Sequence, residues 1–258
     1  MIPSPSINPS VLTEATCGWP LEELSEMGYR GLELTPADVR GTSVLNLATE
    51  LDLPVVCVNA IPSLIPYLTG SLNDAVAWRR RETIDGLSNI LSRMDQEGIP
   101  FMVVAPGRVA QNYQTREEAR QLLVSALREM ASGRSSEILL ESMPFRPFDS
   151  SSEIRAILQD VGLPNVGAAL DAGHAMLCGE DPEESVKALG ADLSYIQIRD
   201  VVLRPGRPLL DHHLPLGSGS ADIAKLKRLA SGLPWSMCIS APRSPLREAR
   251  RSLESMIQ

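Results

Sequence analysis

Two apolar runs in the middle of this chain each end on a carboxylate. One is Leu139-Leu140-Glu141 within ILLESMPF, the other Ala168-Ala169-Leu170-Asp171 within VGAALDAGH. An apolar run of this length, bounded by polar turn residues, suits a strand buried on both faces, as in a parallel sheet. About two dozen mostly polar residues of helical character lie between them. The spacing of the carboxylates, 171 − 141 = 30 residues, is that of one strand–helix–strand unit. Barrel and open-sheet enzymes place their chemistry at the C-terminal ends of such strands. Two adjacent parallel strands would therefore point Glu141, Asp171 and the nearby His174 into one mouth.

The rest of the chain repeats the alternation. Strands are expected over residues 6–11, 31–34, 54–59, 100–105, the two runs ending at Glu141 and Asp171, 193–198 and 235–240. Helices are expected over residues 20–27, 39–51, 73–97, 115–130, 151–160, 182–189, 221–230 and 246–256. Gly28 and Gly98 close two of them, as glycine commonly does. Thr115 with Glu118 three residues later is a capping-box signature. Eight strand signals alternating with helical ones imply parallel βαβ units. The chain length of 258 residues matches a (β/α)₈ TIM barrel of ~250. We read residues 1–258 as one such domain, because no shift in composition marks a boundary. A doubly wound sheet is the alternative, and the lack of a Gly-rich phosphate fingerprint counts against it.

A formal net charge of −8 argues against nucleic acid as the main partner, which needs a basic footprint. The local basic runs, Arg79-Arg80-Arg81 and residues 243–251, read as solvated helix faces. The cysteines at 17, 57, 178 and 238 have neither metal-ligand nor C-x-x-C spacing, so free thiols in a reducing compartment are expected. The first ten residues lack the pattern of a secretory signal, and no apolar run approaches the ~20 residues of a membrane span. The expected location is the cytoplasm, with a small-molecule substrate and no membrane partner.

Each chemistry-bearing residue also has a structural reading. Asp171 can serve as a helix N-cap, and His174 can be a packed histidine. Taken with Glu141 they suit a hard divalent cation plus an acid/base group. Gln197, flanked by Ile196 and Ile198, is expected to face the barrel interior, where a buried amide needs partners. Arg199 and Asp200 read as a structural ion pair at the strand end. His212 and His213 lie in a polar loop rich in Pro and Gly, where most histidines are merely exposed.

The ordered set GYRGLEL, LLESMPF, ALDAGHA, YIQIRDV and HLPLGSG resembles the xylose isomerase-like TIM-barrel superfamily, in its sugar phosphate isomerase/epimerase branch. The resemblance implies a divalent metal (Mn, Mg, Co or Zn) at the C-terminal mouth, with Glu141, Asp171 and Gln197 as ligands. Gln in the seventh-strand place matches members similar to 3-dehydroshikimate dehydratase. The resemblance also implies Glu141 and His174 as catalytic groups, and His174, Arg199 and His213 as substrate contacts. Two departures stand out: Ser240 occupies the place of the usual eighth-strand Glu, and Gly217-Ser218-Gly219 that of G-E-G. Serine is a poor neutral ligand and no base at neutral pH, so a one-sided reaction such as dehydration or enolisation is expected over two-base epimerisation.

The expected activity is thus that of an isomerase or dehydratase-like lyase acting on a small polyhydroxylated carbonyl compound or sugar derivative. The alternatives are a metal-free repurposed barrel enzyme, or a non-catalytic relative that binds a ligand or partner in a degenerate mouth. Homo-oligomers are common in the family, but no residue here defines an interface.

Overall fold

The computed structural model describes residues 5–7, 21–41, 43–61, 68–109, 113–203, 214–238 and 245–257. Eight parallel strands close into a barrel in sequence order. They are β1 Pro5–Ile7, β2 Gly31–Leu34, β3 Val55–Asn59, β4 Phe101–Val104, β5 Glu137–Glu141, β6 Val166–Asp171, β7 Leu193–Ile198 and β8 Trp235–Met237. Pairing of β1 with β8 completes the ring. The expected (β/α)₈ barrel is the fold observed, and a closed ring removes the open-sheet alternative.

The apolar strand runs hide a period of two. Ile138 and Leu140 on β5, Ala168 and Leu170 on β6, and Ile196 and Ile198 on β7 pack outward in the shell shared with the helices. Cys57, Val103, Leu139, Ala169 and Tyr195 form a separate layer inside the barrel. One pleat further along, the inner positions are Glu141, Asp171 and Gln197. The interior is therefore apolar at mid-height and polar at its C-terminal end, as strand alternation requires.

Helix starts follow their caps. Thr115 and Glu118 form the expected reciprocal box at Arg116–Ala131. Ser150 caps Ser151–Val161 through its hydroxyl. Gly98 ends Ala77–Glu97 in the left-handed conformation, at φ 69°. The helix expected over 39–51 is two, Pro36–Arg40 and Ser43–Glu50. Thr35, Pro36 and Asp38 start the first with a box of their own, and Gly41 stops it in an extended conformation. The short helix Ala172–Leu177 was not expected from the sequence; it follows β6 directly with Asp171 as its N-cap. Strand β8 is shorter than residues 235–240, of which 239 and 240 lie outside the described residues.

Asp95 stitches the bottom of the barrel beneath β5. Its Oδ1 accepts from the backbone N–H groups and hydroxyls of both Ser135 and Ser136 at 2.8–3.1 Å. Burial pushes the Asp95 carboxyl up, but those donors and Arg134 outweigh it and hold it below the usual range. A depressed folded-state pKa gives stability that is present at neutral pH and lost as pH falls through the folded value. Asp95→Ala should cost about 2 kcal/mol near pH 7. It should also flatten the acid limb of stability against pH, which urea unfolding across pH 3–7 would measure.

Candidate functional site

The C-terminal ends of β5, β6 and β7 bring the central residues together. Ligand atoms of Glu141, Asp171 and His174 all lie within 4.8 Å of one another. His174 Nδ1 meets Glu141 Oε1 at 2.5 Å. Gln197 sits opposite Asp171 in the β6–β7 ladder, so both side chains rise from the same inner face. All four residues are buried, none more than 3% exposed, so charge here is not screened by solvent.

The segment Asp171-Ala-Gly-His174 does three jobs. Asp171 Oδ1 accepts from the His174 N–H at 2.9 Å and starts the short helix, which leaves Oδ2 for other partners. The helix cap and the contact with Arg199 therefore use different oxygens of one carboxylate. Gly173 leaves room for the aliphatic stem of Arg199, which a Cβ at that position would meet. The first turn of the helix then carries the His174 ring to Glu141.

Arg199 does not match the sequence expectation of a pair with its neighbour. Its guanidinium forms an ion pair with Asp171 Oδ2. Asp200 spends its two oxygens on the backbone N–H groups of Val201, Gly217, Gly219 and Ala221, at 2.8–3.0 Å. It thereby holds the loop after β7, and Gly219 is required because a Cβ there would strike Asp200 and the Val201 carbonyl. His212, His213 and Ser240 lie outside the described residues.

Burial raises the Glu141 carboxyl above its usual range, with His174 pulling it back. The thiols of Cys57 and Cys238 are pushed far up, by burial first and then by Glu33. Burial also pushes Cys178 up to about 12. These thiols stay protonated and inert at neutral pH.

Glu33 was missed as a site-region residue. It is fully buried in GLEL on β2 and accepts from side chains of β3, β7 and β8. The signal was present in the sequence: a lone acid between two leucines of a four-residue strand must point opposite to them.

The donor set can be tested against a divalent cation. Among the described residues, the buried side-chain oxygens that take no well-directed hydrogen bond are Asn59 Oδ1, Glu141 Oε2, Asp171 Oδ2 and Gln197 Oε1. Asp171 Oδ2 nonetheless has the Arg199 guanidinium against it, a short charge contact that satisfies it electrostatically. Oxygens of Glu141, Asp171 and Gln197 come from three adjacent strand ends, and oxygen ligands suit hard cations. The residues fit a cation of that kind, with Arg199 opposing it by charge.

The sequence profile of the xylose isomerase-like TIM barrel matches residues 21–257, and the chain belongs to that family. No curated protein matches it by sequence. Its fold is similar to D-psicose 3-epimerase from Clostridium cellulolyticum, at TM-score 0.79, 12% identity and 98% coverage of both chains. It is also similar to the IOLI protein crystallised with a zinc atom, at TM-score 0.78, 19% identity and 98% coverage of both chains. A third similar structure is the probable 3-DHS dehydratase AsbF from Bacillus anthracis, at TM-score 0.74 and 15% identity, covering 97% of this chain and 98% of that one. No helix among the described residues is long and apolar enough to cross a membrane.

Breaking a buried ion pair strands one charge, at a typical cost of about 3–5 kcal/mol. Arg199→Met should destabilise the metal-free protein by that order. It should also enlarge the thermal shift caused by Mn²⁺, since the cation then replaces the lost positive charge. Differential scanning fluorimetry with and without Mn²⁺ measures both effects.

Proposed function

We propose that this protein is a metal-assisted isomerase or dehydratase-like lyase acting on a small polyhydroxylated carbonyl compound. The observation that carries the reading is the set of buried, acceptor-only oxygens around a Glu141–His174 pair at the barrel mouth. Buried polar groups demand partners. A cation and the hydroxyls of a polyol would supply partners for Glu141 Oε2 and Gln197 Oε1, and a cation would share Asp171 Oδ2 with the Arg199 guanidinium. The names of similar structures, among them 3-keto-D-glucoside 4-epimerase, L-ribulose 3-epimerase and a 3-DHS dehydratase, support the same substrate chemistry.

Glu141 Oε2, Asp171 Oδ2 and Gln197 Oε1 would hold the cation. Once bound, it would supply Lewis-acid polarisation of a substrate oxygen. Glu141 Oε1 accepts from the Nδ1–H of His174 and so fixes the tautomer, leaving the basic lone pair on Nε2. His174 then takes or returns the proton next to the substrate carbonyl, and Glu141 stabilises the imidazolium. Arg199, resting on Asp171, adds positive charge beside the oxygen where negative charge develops. With Ser240 in place of the usual eighth-strand carboxylate, this pair is the base on one side of the substrate, which favours dehydration or enolisation over two-base epimerisation. We assign the compartment as cytoplasmic and the partner as a small molecule.

Proton abstraction next to a carbonyl is common to isomerisation and dehydration, so exchange of that proton tests both. Incubation with ketoses and cyclic keto-polyols in D₂O with Mn²⁺, Mg²⁺, Co²⁺ or Zn²⁺ should yield deuterated substrate or product. His174→Gln should lower the exchange rate by about 10²–10⁴-fold. A panel that binds without any exchange would sink the enzymatic reading in favour of a ligand-binding relative. Exchange that survives metal chelation would point to a metal-free repurposed barrel.

A further inference from the structure

Glu33 lies on β2, across the barrel from the strands that carry the candidate ligands, and it is fully buried. Its Oε1 accepts from Asn59 Nδ2 at 3.2 Å, Gln197 Nε2 at 2.8 Å and Cys238 Sγ at 3.7 Å. Its Oε2 accepts from Ser236 Oγ at 2.6 Å and the Tyr195 hydroxyl at 3.0 Å. With three donors on one oxygen and two on the other, the protein itself already satisfies this carboxyl group.

The two amides in this set are informative. Each amide meets a carboxyl oxygen, an acceptor, and so turns its NH₂ group inward, at 3.2 Å for Asn59 and 2.8 Å for Gln197. That chemistry decides the orientation, which atom positions alone leave ambiguous. In a planar amide the oxygen then faces away from Glu33. Both amide oxygens, Asn59 Oδ1 and Gln197 Oε1, are buried and take no hydrogen bond. Gln197 lies opposite Asp171 in the ladder, so its oxygen belongs to the same acceptor group as the carboxylates of Asp171 and Glu141.

Resting on the cation reading above, we infer that Glu33 is a positioning residue that sets the polarity of the mouth. By taking the NH₂ ends of Gln197 and Asn59, it presents the Gln197 carbonyl to a cation and the Asn59 carbonyl to a substrate hydroxyl. Without it, the Gln197 amide is free to turn, and an NH₂ group facing a cation repels it. Glu33 also places a carboxyl group in the barrel interior, so any effect of its charge must be separated from its orienting effect by experiment.

A double-mutant cycle separates them. The variants are Glu33→Gln, Gln197→Met and the pair, and the readout is Mn²⁺ affinity from the loss of the free-ion electron paramagnetic resonance signal. Glu33→Gln should weaken Mn²⁺ binding by about 10–100-fold, the usual effect of losing an orienting partner. In the Gln197→Met background the same change should matter by less than about twofold. An equal loss in both backgrounds would mean that Glu33 acts by charge alone, and would overturn the inference. A second readout needs no metal and no folded Glu33 variant. The side-chain NH₂ resonances of Gln197, assigned by their absence in Gln197→Met, should be protected from solvent exchange in the wild-type protein. Rapid exchange would overturn the orientation itself. Protected resonances in a wild-type protein that binds no Mn²⁺ would overturn the cation part along with the metal reading, and would show that the metal reading was what failed.

Discussion

Two carboxylates with no access to bulk water stand side by side at the end of this barrel, and the surrounding structure is arranged to make that tolerable. Uncompensated, a buried carboxylate is protonated or unfolds the region around it. Here Glu141 has the His174 ring and Asp171 has both a helix N-terminus and the Arg199 guanidinium. Each compensation dictates a local piece of fold. The helix after β6 must start at once, Gly173 must lack a side chain, and Arg199 must fold back over it.

The compensation is incomplete, and that is its chemical content. One oxygen on each of Glu141, Asp171 and Gln197 is left without a well-directed hydrogen bond, all at neighbouring strand ends. A protein interior rarely leaves such groups unmet unless something else meets them. Across the barrel the opposite holds, since Glu33 is saturated with donors. The interior thus combines an apolar layer, a carboxyl group satisfied by the protein, and buried acceptor oxygens at the C-terminal end.

Rigidity comes from the shell. The outward residues of each strand pack against the helices, and the helix boundaries are set by caps that are polar and local. Beyond β7, a single carboxylate, Asp200, ties residues 217–221 to the strand end by satisfying four backbone N–H groups. Without it those four N–H groups would lose their acceptor.

Much of this was legible in the residues alone. Apolar runs ending on Glu141 and Asp171, thirty positions apart, imply adjacent parallel strands, and period-two alternation makes their inner faces predictable. Helix starts at Thr115 and Ser150 are written in short-range capping chemistry. What the sequence could not decide were the side-chain contacts made between strands. That Arg199 would pair with Asp171 rather than its neighbour, and that Glu33 would take the amides of Asn59 and Gln197, depends on which inner positions strand stagger brings level. Strand type and facing are local properties of the chain. The partners of these buried groups are set by strand stagger and, where Glu33 meets Tyr195, Gln197 and Ser236, by ring closure, which alone brings residues more than a hundred positions apart within a hydrogen bond's length.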